Sequence, residues 1–221
     1  MRPPRLRALA WDLDGTVVDS GPAWHAVEVE LARAHGGTWH ESDSQACIGH
    51  PLEVTARRLR DRSTIRGTDT EIIRELSARL AQRFMRGGVP FRPGVPDLIE
   101  QARLAGLTQV LVTSASGSYV DALQRHLPAF TGAITGREVG VPKPDPEAYR
   151  RALDLIGETP DSVLALEDSA VGIAAATSAG LCTLACAGRA HGYAVAGVVT
   201  DLSSLRVEDL RDLHRRWLVR R

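Results

Sequence analysis

The chain has 221 residues, 27 Lys plus Arg against 27 Asp plus Glu, and a formal net charge of zero. That length suits one sizeable domain with an insertion, or two small domains. Balanced charge gives no electrostatic argument for nucleic acid or an anionic membrane as a partner. No stretch approaches the roughly 18 apolar residues of a membrane span, and no secretory apolar region follows the basic residues 1–7. Cys47, Cys182 and Cys186 are odd in number and widely spread, which excludes a disulfide scaffold and fits a reducing, cytoplasmic setting. They read as buried apolar thiols.

The first element is a short buried strand over 8–11. Asp12 and Asp14 follow it, with Gly15 marking a turn. Paired acids at the carboxyl end of a strand raise each other's pKa, a cost that a hard cation or a proton-transfer role offsets. Asp also serves simply to build turns. A calcium loop is excluded by spacing, because its glycine and glutamate positions are occupied by Val17 and Ala23.

Trp24, Val27, Leu31 and Ala34 recur at helical spacing, with Pro22 in the first turn and Gly36-Gly37 as the stop. Residues 39–86 carry no long apolar strand. Leu52, Thr55, Ala56 and Leu59 predict one helix, and Ile72, Leu76, Leu80 and Phe84 another, with Gly49 and Gly67 as breaks. From Pro93 the pattern alternates. Helices are predicted over 94–104, 119–127, 145–157 and 169–179, with Asp145 and Ser169 as caps. Strands are predicted over 108–113, 132–135, 163–166, 181–185 and 198–199, and a terminal helix over 207–218 with its arginines on a polar face. Nearly continuous apolar strands joined by helices indicate an α/β protein with a Rossmann-like doubly wound parallel sheet core. That core is discontinuous, 1–20 plus 89–221, with an all-helical cap domain inserted at 21–88. Starting right after the acidic loop, the insertion is positioned to act as a lid.

Polar residues of different kinds stand at the expected strand ends: Asp12 and Asp14, Thr113 and Ser114, Lys143 before a helix, and Glu167 with Asp168. In a doubly wound sheet they can converge on one crevice. Acids, a hydroxyl and one ammonium are equipment for phosphoryl transfer. Each also has a purely structural reading: Lys143 as a turn lysine, Glu167-Asp168 as a favourable helix start, Thr113 as a β-branched strand end. Gly172, costly inside a helix, implies close packing of that helix on the sheet.

The motifs W-D-L-D-G-T-V-V-D-S at 11–20, V-L-V-T-S-A-S at 110–116, G-V-P-K-P-D-P at 140–146 and L-E-D-S-A-V-G-I-A-A-A at 166–176 resemble the haloacid dehalogenase superfamily, in particular its small phosphatase and phosphomutase branch with a helical cap. F-R-P-G-V at 91–95 resembles the family's return from cap to core. The resemblance implies that Asp12 is the nucleophile and that Asp14 first protonates the leaving group, then activates water. It implies a Mg2+ held by Asp12, the Asp14 carbonyl and Asp168, with Glu167 a further acid at or beside that ion. Thr113 and the amides of Ser114 and Ala115 would hold the phosphoryl oxygens, and Lys143 would neutralise them. Lys143 is the only lysine in the chain, consistent with a demand for a compact point charge.

Candidate substrate-binding residues in the cap are Trp24, His25, His50 and Arg57, against a packing role for each. Mutases similar to this chain carry a lysine and an arginine where Ile48 and Leu52 stand, so hydrolysis is favoured. The expected substrate is a small phosphate monoester such as a sugar, polyol or glycolate-type phosphate. Neither nucleic acid nor membrane is an expected partner, and a monomer and a weak homodimer stay equally open. The alternatives are a sugar-phosphate mutase, a silent interaction module of the same fold, and a metal-free hydrolase of halides or phosphonates. The phosphonate version is disfavoured because 21–90 holds no lysine.

Overall fold

The computed structural model describes residues 5–48, 50–115, 118–186, 188 and 190–221. Gly49, expected to break two helices, and Ser116 and Gly117, expected in the turn after the second strand, lie outside the described residues.

Six strands form one parallel sheet in the order β3-β2-β1-β4-β5-β6. They are β1 (Ala8–Trp11), β2 (Thr108–Val112), β3 (Gly132–Ile134), β4 (Val163–Glu167), β5 (Cys182–Ala185) and β6 (Gly197–Val198). The strand order reverses between β1 and β4, the switch point where such sheets place their ligands. β1 and β4 are buried along their whole length, which is why they read as unbroken apolar runs rather than alternating ones. Side chains alternate across the sheet. Ala8, Ala10, Val110, Val112, Val163 and Ala165 pack under α7 (Glu147–Ile156) and α8 (Ala170–Ser178). On the other face, the Gln109 side chain accepts from Trp11 Nε1 at 3.1 Å and donates to the Ile99 carbonyl of α5 (Val95–Leu104) at 3.0 Å. The terminal helix α9 (Val207–Arg220) is joined to α5 by Arg211, which donates to the Ala105 carbonyl.

The chain divides into two compact units. The sheet unit holds 1–19, 91–115 and 127–221; the helical unit holds 20–90 and 116–126. The second contains α1 (Gly21–Ala34), α2 (Glu41–Gln45), α3 (Leu52–Arg62), α4 (Asp69–Gly87) and α6 (Ser118–Gln124). Its longest helix, α4, starts with a reciprocal capping box between Thr68 and Glu71. Residues 118–126 sit between sheet segments in sequence but group with the helices: Tyr119, fully buried, packs edge-on against Trp24 at 5.7 Å and at a tilt against Phe84 at 5.6 Å. Asp43, fully buried, is held by the His40 amide and by Arg58 and Arg62 at 2.8 and 3.0 Å.

One local expectation shifts, and one helix was not expected. The cap of α7 is Pro146, not Asp145; the Asp145 carboxylate, one residue ahead of that cap, still accepts from the Glu147 amide at 2.9 Å. The short helix α2 had no periodic apolar signal, since only Asp43 of its five residues is buried.

Candidate active site

The site is built at the carboxyl ends of β1, β2 and β4. The Asp12 amide extends the sheet ladder by donating to the Leu166 carbonyl at 3.0 Å, so the residue leaves β1 with a fixed direction. The chain then folds tightly on itself. Val17 and Val18 both donate to the Leu13 carbonyl at 2.9 Å, and the Gly15 amide donates to the Val18 carbonyl at 2.8 Å. Leu13, fully buried, anchors this turn in the core, while Asp14 is half-buried and pairs by backbone with Val18. Gly15 has a φ of +87°, and a Cβ there would collide with the Asp168 carboxylate. Only glycine satisfies both demands.

Lys143 arrives from the loop before α7. Its ammonium has three protons and three acceptors: Asp12 at 2.8 Å, the Val112 carbonyl at 2.9 Å and Glu167 at 2.5 Å. Burial works against its charge, but the Asp12 and Glu167 carboxylates outweigh that and raise its pKa above the ordinary lysine value. Glu167 is fully buried and also accepts from the Tyr149 hydroxyl at 2.6 Å. Burial and the two carboxylates push the Tyr149 phenol up, so it stays a donor. Glu167 further accepts from Ser169, which caps α8 by accepting from the Gly172 amide at 3.1 Å. A Cβ on Gly172 would run into the Glu167 carboxylate. The reason for that glycine is thus one buried side chain, a narrower cause than general helix-on-sheet packing.

Asp12, Glu167 and Asp168 each present a carboxylate oxygen within 4.8 Å of the others. Burial and Glu167 raise the Asp12 pKa well above its usual range, with Lys143 pulling the other way. Burial and Glu167 likewise push Asp168 up to about 7. Three crowded acids with all-oxygen donors are the chemistry of a hard divalent cation, so the residues fit such an ion.

Thr113 is buried at the end of β2, its amide on the Ile134 carbonyl at 2.9 Å and its hydroxyl accepting from the Ala115 amide at 3.0 Å. Ser114 is exposed and Ala115 is buried. His25, His50 and Arg57 belong to the helical unit. His25 Nδ1 lies 2.8 Å from the Ser44 hydroxyl and its Nε2 3.4 Å from Glu41, while Arg57 donates to the Glu53 carbonyl and His50 is exposed.

Sequence reasoning missed Tyr149 and Thr16, whose hydroxyl lies 3.5 Å from Asp168. Tyr149 sits in the apolar stripe of α7 and reads as core; the signal available was its phenol, a polar tip on a fully buried side chain.

A family model described as haloacid dehalogenase-like hydrolase matches residues 6–180. The chain belongs to this family. Among haloacid dehalogenase-like relatives, Protein CbbY of Rhodobacter capsulatus is 32% identical over 188 residues, covering 80% of this chain and 83% of its own. Phosphoglycolate phosphatase of Aliivibrio fischeri is 32% identical over 210 residues, covering 90% and 92%. Solved structures of CbbY from Rhodobacter sphaeroides, one with phosphate and one with xylulose-(1,5)bisphosphate, match with TM-scores of 0.79 and 0.78 at 27% identity. Each covers 90% of this chain and 96% of the other. The expected placement in the small phosphatase and phosphomutase branch with a helical cap holds, and the chain is an enzyme of that branch. Among the described residues, no helix is long and apolar enough to cross a membrane.

Proposed function

We propose that this enzyme hydrolyses a small phosphate monoester, of the sugar, polyol or glycolate type, through an aspartyl-phosphate on Asp12. The observation that carries the reading is the buried bridge in which Lys143 joins Asp12 to Glu167, with Asp168 completing the acid set. An oxygen of Asp12 attacks phosphorus as the bond to the leaving alkoxide breaks, and the Asp14 carboxyl gives that alkoxide its proton. Asp14, now ionised, takes a proton from water as the water attacks the same phosphorus, which frees inorganic phosphate and restores Asp12. Lys143 balances charge on Asp12 and on the transferring oxygens, while Glu167 and Tyr149 keep it aimed. The amides after Thr113, at Ser114 and Ala115, are suited to the phosphoryl oxygens. Asp12 and Asp168 would hold Mg2+ together with the Asp14 carbonyl; when bound, the ion supplies positive charge against the phosphate. Glu167 has Oε1 committed to Lys143 and Tyr149 and Oε2 to Ser169, which supports an anchoring role beside the ion.

Hydrolysis is favoured over isomerisation because Ile48 and Leu52 put no cation where the mutases resembling this chain carry two. The names of the relatives, a phosphoglycolate phosphatase and a protein solved with a sugar bisphosphate, support the substrate class. The test is phosphate release from a panel of 2-phosphoglycolate, hexitol phosphates, xylulose 1,5-bisphosphate and β-glucose 1-phosphate, with Mg2+ or with EDTA. Release that needs Mg2+ and falls at least about a thousandfold in Asp12→Asn supports the reading. Metal-independent release, or conversion of β-glucose 1-phosphate to glucose 6-phosphate outpacing release, overturns it.

A further inference from the structure

Beyond the Cys186 amide, which continues the ladder on the Glu167 carbonyl at 2.6 Å, the chain after β5 makes a second polar contact with the proposed metal-ligand segment that the mechanism above does not use. His191 Nε2 lies 3.3 Å from the backbone carbonyl oxygen of Asp168. A carbonyl oxygen only accepts, so the ring proton of this contact sits on Nε2. The Asp168 carbonyl stands just outside α8, whose ladder begins one residue later with the Ile173 amide on the Ser169 carbonyl at 2.9 Å. It therefore draws no partner from the helix it precedes, and His191 supplies one.

The backbone at His191 makes a tight turn. Among the described residues, His191 alone combines a side chain with a positive φ, +51°. Gly192 follows at +79°, and the Tyr193 amide closes the turn on the Ala190 carbonyl at 2.9 Å. Two successive positive φ values define a type I′ turn, whose central positions favour Asn, Asp and Gly and also admit His.

We propose that His191 is a positioning residue: its Nε2–H fixes the Asp168 peptide and thereby holds the Asp168 carboxylate in register with Asp12 for the cation. The inference rests on the reading of Asp12 and Asp168 as ligands. Groups that orient metal ligands from outside act on affinity first. A weakened contact here shifts how tightly Mg2+ binds and leaves the chemical step of the loaded enzyme nearly unchanged.

The test is calorimetric titration of Mg2+ into the wild type, His191→Gly and His191→Gln, with thermal midpoints and kinetics for each. Glycine suits the turn but lacks the donor; glutamine keeps a donor of similar reach. His191→Gly is expected to bind Mg2+ about fivefold more weakly, the equivalent of one neutral hydrogen bond. Its Mg2+ activation constant rises by the same factor, with kcat at saturating Mg2+ within about twofold and no drop in midpoint. His191→Gln recovers most of the affinity. Nitrogen chemical shifts of His191 in the metal-free wild type are expected to report the Nε2–H tautomer. Equal Mg2+ affinity in the wild type and His191→Gly, a glutamine variant as weak as glycine, or an Nδ1–H tautomer overturns this inference alone. A wild type that binds no Mg2+ overturns the ligand reading and this inference with it.

Discussion

Lys143 spends all three ammonium protons inside the protein, on Asp12, Glu167 and the Val112 carbonyl. Nothing in its sequence neighbourhood forces that, since a lysine among prolines reads equally well as a turn residue. What made it legible was company: acids and a hydroxyl at other predicted strand ends. Gly172 shows the opposite case, where the position stood out but its cause was not visible, because the obstructing Glu167 carboxylate is five residues earlier and arrives from the strand. Alanine in a helix interior is normally worth about 1 kcal/mol over glycine. Here Gly172→Ala is expected to destabilise by about 1–3 kcal/mol through overpacking, read as a lower urea midpoint. Gly21→Ala, with nothing in the way of its Cβ, should change stability by no more than about 0.5 kcal/mol. Asp168 carries the pH prediction. Its carboxyl is pushed by burial and Glu167 up to about 7, so the metal-free fold holds that proton more tightly than the unfolded chain does. The contribution is present in full below the unfolded value and is lost as pH rises toward about 7. A cation must displace the proton, so Mg2+ is expected to raise the thermal midpoint more at about pH 8 than at about pH 6. An equal rise at both would show that Asp168 does not share the ion.

At the scale of elements, strands and caps were the readable part. Buried parallel strands are short apolar runs, and β1, β2 and β4 lie within a residue of where the runs placed them. Ser169 was readable as a cap because a hydroxyl preceded an alanine-rich run, and it does cap α8. Tyr149 was not readable, since α7 carries it on the same stripe as Ala148, Ala152 and Leu153. The partnership of α7 with β4 through one phenol depends on the fold bringing Glu167 under the helix. Tyr149→Phe keeps the ring that packs 5.3 Å from the Lys143 ammonium and removes only the donor. It should cost about 1–3 kcal/mol in unfolding free energy, because a buried carboxylate loses one of its hydrogen bonds. A neutral effect would mean that Lys143 and Ser169 hold Glu167 without the phenol.

For the molecule as a whole, the doubly wound sheet followed from the alternation of apolar strands and capped helices, and the helical insertion from a long stretch without a strand. The affiliation of α6 did not follow, because sequence order puts it between β2 and β3, whereas its packing on α4 and the Trp24–Tyr119–Phe84 cluster assign it to the helices. Tyr119→Ala is expected to cost about 3–5 kcal/mol and to speed amide exchange in α4 and α6 while leaving β1 and β4 protected. Uniform loss of protection would merge the two units into one cooperative block. His25 and Arg57 have partners within the helical unit, so residue type alone gave no means of separating recognition from packing there. The proposed reaction requires that phosphoryl pass through Asp12. Turnover quenched in acid, reduced with borohydride and digested should yield a peptide in which Asp12 has become homoserine, only when substrate and Mg2+ were both present. Rapid turnover with Asp12 unmodified, or with the label on another carboxylate, would contradict it.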